Sequence, residues 1–311
     1  MNQEKLNDIL LGAKFEKEKM DALTMEELME VHTVALYCMM KNKNEEKKSK
    51  FFQSRAKVFY MLILERLTTA GELFVLFSKA TRLPYVICDE KTFDDQIYLF
   101  LDEQQALDAA KKDGADDKAV IKVENKQIMS FYLSLYSIGV NAIIVNISDK
   151  TMRVQLKELY KEPDYSKIPE EKRPVVNPQL QLTSIYYVQE MRRQQQSGEK
   201  KDLSDMLEEM NANLRNGKFF LMYRKREDED ASEEGKQIEF PTIKLKNGEL
   251  YHPIFTDLNE ALKFPNARSF HPMITDLKGI FKVLAPQVAG VILNPQSVQI
   301  IVTKEVMKKD E

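Results

Sequence analysis

The run Val288-Ala289-Gly290-Val291-Ile292-Leu293-Asn294 is short, apolar and closed by Asn, and it has an earlier counterpart in Val140-Asn141-Ala142-Ile143-Ile144-Val145-Asn146. A run of this length and composition predicts a strand buried on both faces. Reading back from each copy, the same features recur in the same order. Leu101-Asp102-Glu103-Gln104-Gln105-Ala106-Leu107 answers to Thr256-Asp257-Leu258-Asn259-Glu260-Ala261-Leu262, an acidic turn followed by an Ala-Leu pair. Strands are expected just before these, over residues 97–101 and 251–255, and each copy opens on an apolar strand, Phe74-Val75-Leu76-Phe77 or Phe219-Phe220-Leu221-Met222. Self-similarity at this scale decides architecture before any local detail does. It predicts an α+β protein with two modules of short mixed sheets and helices.

Around these modules the chain divides into four parts. Residues 1–70 lack a convincing strand and read as a helical segment. Leu6, Ile9, Leu10 and Ala13 share one helical face, and Thr24 with Glu27 has capping-box spacing ahead of Leu28, Val31 and Ala35. Residues 41–50 read as a loop or frayed end before a third helix over 51–68. The first module covers residues 71–160, with Gly139 expected where its second helix stops. Residues 161–215 form a connector: a charged stretch over 161–178 with four prolines, then helix over 181–214 interrupted at Ser197-Gly198. Leu203, Met206, Leu207, Met210 and Leu214 form an apolar stripe read as packing. The second module covers residues 216–311. Within it Asn247-Gly248 predicts a type I′ hairpin, Pro253 predicts an edge strand or an irregular start, and Val298 to Val302 predicts a returning last strand.

Composition bounds the function. Of 311 residues 43% are apolar and 31% charged, and 46 Lys and Arg against 49 Asp and Glu leave a formal charge of −3. This describes a soluble globular chain with no general attraction to nucleic acid or anionic lipid. No apolar run approaches the roughly 18 residues that span a bilayer, and the N-terminus lacks a signal-peptide core. Cys38 and Cys88 form no C-x-x-C pair, so a cytoplasmic setting is expected.

Chemistry-bearing patterns are sparse. His32, His252 and His271 have no metal-ligand spacing; His32 reads as a surface or interface residue, while His252 and His271, each before a Pro, are weighed as a pair that meets in space. Neither Cys lies in a nucleophile motif, and both read as small buried hydrophobes. No G-x-S-x-G, Walker A or G-x-G-x-x-G pattern occurs. The acidic run over 227–234 lacks EF-hand spacing and reads as a solvated hairpin loop. Five lysines over 41–50, diluted by Glu45 and Glu46, do not make a nucleic-acid stripe. No cofactor or metal is expected.

Pro253-Ile254-Phe255-Thr256-Asp257 and Gly290-Val291-Ile292-Leu293-Asn294-Pro295 resemble the SseB family of bacterial proteins. That family has a P-x-F-T-[SD] strand end and a later G-[VIL]-[VIL]-[VIL]-N-P strand end in its N-terminal domain. The resemblance covers about residues 217–307. In the first module it is degraded, with Ala142 for the Gly and Ile147 for the Pro. It implies a fold and carries no established enzymatic activity with it, so an enzymatic role stays open. Asn146 and Asn294 are read first as residues that start a turn by bonding nearby backbone. The functional alternative is a partner groove lined by Phe255, Thr256, Asn294 and Pro295. The expected function is therefore a non-catalytic protein-interaction or scaffolding role with an unidentified protein partner, self-association being left open. The rival is a small-molecule binder or enzyme linked to amino-acid metabolism, with its pocket between the modules.

Overall fold

The computed structural model describes residues 1–12, 15–112, 117–161, 164–169, 172–225 and 238–304. The chain opens with helices α1 (Gln3–Leu11), α2 (Lys17–Asp21), α3 (Met25–Lys41) and α4 (Glu46–Thr69). Leu6, Ile9 and Leu10 are buried on α1, while Ala13 lies outside the described residues. The capping box forms as its spacing required: the Glu27 N–H donates to the Thr24 hydroxyl at 3.2 Å, and the Thr24 N–H donates to the Glu27 carboxylate at 3.0 Å. The polar run over 41–50 is not a loop throughout. Only residues 42–45 are non-helical, and Lys50 pairs with Glu46 at 2.6 Å one turn away, so the polar residues are the solvated first turn of α4. His32 is buried between α3 and α4 rather than at the surface, its Nδ1 2.9 Å from the Ala56 carbonyl and its ring stacked on Tyr60.

The first sheet uses β1 (Glu72–Ser78), β2 (Val86–Cys88), β3 (Asp95–Phe100), β4 (Lys118–Glu124), β5 (Ala142–Ile147) and β6 (Lys150–Gln155). Its order is β4-β1-β3-β5-β6, with β2 beside β3; only β3 and β5 run parallel. Alternation along β1 sorts its side chains. Leu73 and Val75 face a core shared with α1 to α4, α6 (Ile128–Ser137) and α7 (Leu156–Leu159), whereas Phe74 and Leu76 face Ala106 of α5 (Glu103–Lys111). The N-terminal helices thus share the first sheet's core.

Helix α8 (Pro178–Ser197) links the two sheets, and α9 (Ser204–Asn216) follows after Gly198, which takes a left-handed φ of 74°. Leu182 and Ile185 enter the first core and Leu180 the second. The Gln189 side-chain amide both accepts from the Val86 N–H at 3.1 Å and donates to its carbonyl at 2.9 Å, acting as a strand neighbour for β2. Tyr186 donates to Asp95 at 2.6 Å.

The second sheet uses β7 (Lys218–Lys225), β8 (Ile238–Glu239), β9 (Ile243–Lys244), β10 (Leu250–Phe255), β11 (His271–Asp276), β12 (Val288–Leu293) and β13 (Ile300–Thr303). The order is β11-β7-β10-β12-β13, with β10 and β12 the parallel pair. Strand for strand this is the order and sense of the first sheet. Phe219 and Leu221 face a core with α9 and α11 (Leu277–Val283); Phe220, Met222 and Phe255 face α10 (Leu258–Leu262). Burying each such side chain is worth about 1.5–3 kcal/mol.

Two local expectations are corrected. Gly248 alone has positive φ (89°) in the β9–β10 hairpin, and its N–H donates to the Leu245 carbonyl at 2.9 Å. That is a type I turn followed by a left-handed Gly, not type I′. Pro253 lies in a central strand rather than at an edge. It is tolerated because β9 pairs with Leu250 and Tyr251 while β7 pairs with Ile254 and Phe255, so Pro253 falls in the gap between them. The strand does start irregularly, with a register shift against β12 between Leu250 and Tyr251.

Candidate functional site

The parallel strands β10 and β12 end side by side, and beyond them the chain places a cluster of polar residues. Asn294 leaves β12 with a left-handed φ of 45°, a conformation in which Asn is among the better tolerated residues. Its own N–H donates to the Ile254 carbonyl at 2.8 Å, continuing the strand ladder. Its side chain then stands in for the next ladder step: Oδ1 accepts from the Thr256 N–H at 3.0 Å and Nδ2 donates to the Thr256 hydroxyl at 2.9 Å. The Thr256 hydroxyl donates onward to Asp257 at 3.1 Å.

Asp257 caps α10 by accepting from the Glu260 N–H at 3.0 Å, and its other oxygen accepts from the Gln181 amide of α8. Glu260 in turn accepts from the Ser297 hydroxyl at 2.7 Å and from Lys263. Burial pushes the Asp257 carboxyl above the ordinary carboxylate range, against the pull of the Glu260 N–H and the Thr256 hydroxyl. The cluster joins both strand ends, α10, the turn before β13 and the linking helix.

Phe255, Thr256 and Asn294 each have 0% exposure. They do not line a surface groove; Phe255 packs edge-on to Phe264 at 5.7 Å, and the two polar residues spend their hydrogen bonds on each other and on backbone. Pro295 is half-buried and does reach the surface, in a cleft of about 380 Å3 with Ile243, Phe264, Ile292 and Ile301. The turn is made by the Asn294 main-chain carbonyl, which accepts from the N–H groups of Ser297 and Gln299 at 2.9 and 3.2 Å. In the first sheet Asn146 does bond nearby backbone, donating to the Ile144 carbonyl two residues back at 2.9 Å. There Asp102 caps α5 through the Gln105 N–H at 2.9 Å, and the Gln105 side chain accepts from the Ser148 N–H at 3.0 Å.

A second cleft of about 490 Å3 runs along β13 on the side of α8 and α9. Five consecutive residues, 298–302, line it, facing Tyr187, Met191, Leu207 and Met210, with Ala80 of the first half of the chain at one side. The apolar stripe of α9 is therefore divided: Met210 and Leu214 are buried, Met210 at the floor of this cleft, while Leu207 is exposed to it. Among the described residues Arg192 is the sole charged group lining it. An amino acid would find one cation for its carboxylate there and no described carboxylate for its ammonium group.

The remaining candidates are dispersed. His252 on β10 is buried with Nδ1 2.7 Å from the Pro241 carbonyl, and His271 on β11 packs on Tyr223; β7 lies between the two strands, and the imidazoles do not pair. Cys88 is exposed rather than buried, and Cys38 is half-buried. The Cys88 thiol is held above its usual value by partial burial and then by Asp95, Asp89, Asp94 and Glu90, the opposite of nucleophile activation. Among the described residues no three His, Cys, Asp or Glu side chains converge on a metal position. The acidic run over 227–234 lies outside the described residues. No described helix is long and apolar enough to cross a membrane.

The family model of the SseB protein N-terminal domain matches residues 197–307, which takes in α9 and the second sheet. Solved structures also align, among them two Tic22 proteins. Tic22 of Anabaena, described as a protein of protein transport, is 12% identical over 73% of this chain and 92% of its own, with a TM-score of 0.19. Tic22 from Plasmodium falciparum is 15% identical over 74% and 90%, with a TM-score of 0.18. Superpositions this loose carry no argument about fold or function. No curated protein matches the chain.

Proposed function

We propose that the chain is a non-catalytic interaction protein built from two copies of one SseB-like module, and that it binds its protein partner at the outer strand of the second copy. Residues 71–160 and 216–311 are the copies, the helices of residues 1–70 are an addition to the first, and residues 161–215 are the connector. The shared strand order, and the Asp-capped helices whose Ala106 and Ala261 are both buried against the sheet, support the duplication. A repeated module adds binding area more readily than it assembles one active site. The two free cysteines suit a reducing, cytoplasmic setting.

One observation carries the interaction reading. The polar residues that a reaction would need are spent on an enclosed structural network, while the two clefts described above flank β13 and are lined mainly by apolar side chains. In this reading Phe255, Thr256 and Asn294 are the frame that fixes Pro295 and the turn into β13, and the contact surface is Pro295 with Ile301, which is 48% exposed. The test is a cross-linked pull-down from the cytosol of the source organism with the full chain as bait. A reproducible partner is expected on the wild type and on Met61→Glu, a change on the exposed face of α4, and is expected to be lost on Ile301→Glu. A partner indifferent to Ile301→Glu, or no partner at all, contradicts the assignment.

A further inference from the structure

The two sheets expose four outer strands, and they are not equivalent. In the first sheet β4 carries Lys118 and Lys122, and β6 carries Lys150 and Arg153. Lys150 is tied to Glu26 and Glu30 of α3 at 3.2 and 3.0 Å, which anchors a helix at the start of that strand. In the second sheet β11 contains Pro272, which lacks an N–H. Lysine, proline and covering helices are the usual devices that stop an edge from pairing with another chain. Strand β13, Ile300-Ile301-Val302-Thr303, carries neither Lys nor Pro, and among the described residues it pairs only with β12, with α8 and α9 across a cleft from it. The turn feeding it is held by the buried Asn294 cluster, with Gln299 at a left-handed φ of 54°.

The space beside this edge has a definite chemistry. Residues 298–302 form one wall of the 490 Å3 cleft, and Tyr187, Met191, Leu207 and Met210 form the facing wall. Arg192 is exposed at that wall and, among the described residues, makes no ion pair or hydrogen bond. Ala80 and the linking helix bound the cleft at its other sides. Building on the interaction reading above, we propose that β13 takes up an extended partner segment by strand addition, the segment's alternate apolar side chains facing α8 and α9 and an acidic group meeting Arg192. Main-chain hydrogen bonds supply the affinity, alternate side-chain contacts the specificity, and Arg192 the charge preference.

The test uses the full chain and labelled peptides followed by fluorescence anisotropy. The probe is Asp-Val-Thr-Val-Thr-Val-Asp, acidic at both ends so that strand direction does not matter. Its controls are the Lys-flanked peptide and an acidic peptide with alternate backbone nitrogens methylated. Binding of the acidic peptide, with the methylated one at least tenfold weaker, is expected. Arg192 is exposed, so Arg192→Glu is expected to leave the fold intact, which circular dichroism checks. The substitution is expected to weaken the acidic peptide about fivefold and to favour the Lys-flanked peptide by a similar factor. Equal binding of the methylated peptide, no charge reversal, or no binding of any peptide at about 1 mM overturns the proposal. A partner that is captured and lost on Ile301→Glu while all peptides fail leaves the interaction reading standing and removes strand addition alone.

Discussion

Replacing Asn294 with Ala removes two things at once, and their sizes can be worked separately. The Thr256 N–H is buried and loses its acceptor, a loss of about 1–3 kcal/mol, and the Thr256 hydroxyl loses a donor worth about 0.5–1.5 kcal/mol. Ala must also hold the left-handed φ of 45° that Asn tolerates better, at a further cost of about 1 kcal/mol. The expected total is about 3–5 kcal/mol, a large share of the 5–15 kcal/mol that holds a typical domain together. Asn294→Gly loses the same hydrogen bonds but relaxes the backbone, so it is expected to be about 1 kcal/mol less damaging than Ala although it deletes more atoms. Asn146→Ala is the control. Asn146 is not in a left-handed conformation, it is half-buried, and its loss is expected to cost about 1 kcal/mol. Urea unfolding followed by circular dichroism measures all three. If the Asn294→Ala variant were as stable as the Asn294→Gly variant, or within about 1 kcal/mol of wild type, the Asn294 cluster would not be the keystone described here.

Other outcomes follow from single contacts. A Cβ at Gly290 would lie 2.1 Å from the Val302 carbonyl oxygen, so Gly290→Ala must part β12 from β13, at about 2–4 kcal/mol and with faster hydrogen exchange along β13. The corresponding position in the first sheet already holds Ala142, fully buried and paired with Gln155, so crowding there is absent. Burial lowers the ionisation of His32 and His252, so both stay neutral in the fold while the unfolded imidazoles protonate below about pH 6.5. Their contribution is complete above that value and is lost as pH falls from about 6.5 toward the depressed folded values. The raised acid of Asp257 works in the other sense, favouring the fold below about pH 3.9 and losing that favour as pH rises through its folded value. The imidazole contribution is read as a difference: the change in unfolding midpoint between pH 7.5 and 5.5 is expected to be less unfavourable in His252→Asn, which keeps a donor for the Pro241 carbonyl, than in wild type.

Much of the architecture was legible because it rests on local patterns. The Asn-terminated apolar runs became β5 and β12, the acidic turns became the caps of α5 and α10, and Thr24 with Glu27 became a capping box. What escaped the sequence depends on partners far along the chain. Nothing near Gln181 announces that it bonds Asp257, 76 positions away, or that Gln189 pairs with the backbone of Val86, 103 positions away. Pro253 was misplaced because a gap between two neighbouring strands is invisible from one strand alone. Of the four groove residues only Pro295 reaches a surface, since strand ends that look alike in sequence differ in what covers them. The openness of β13 is likewise a property of strand order, which no stretch of residues encodes by itself.

The central claim is that the outer strand of the second sheet is the binding surface. Photo-cross-linking tests it most directly, with benzoylphenylalanine placed at Ile301 on β13 or at Thr151 on β6, both exposed, in cells of the source organism. The account predicts a discrete cross-linked partner from position 301 and none from position 151. Equal labelling from both strands, or labelling from position 151 alone, would contradict it.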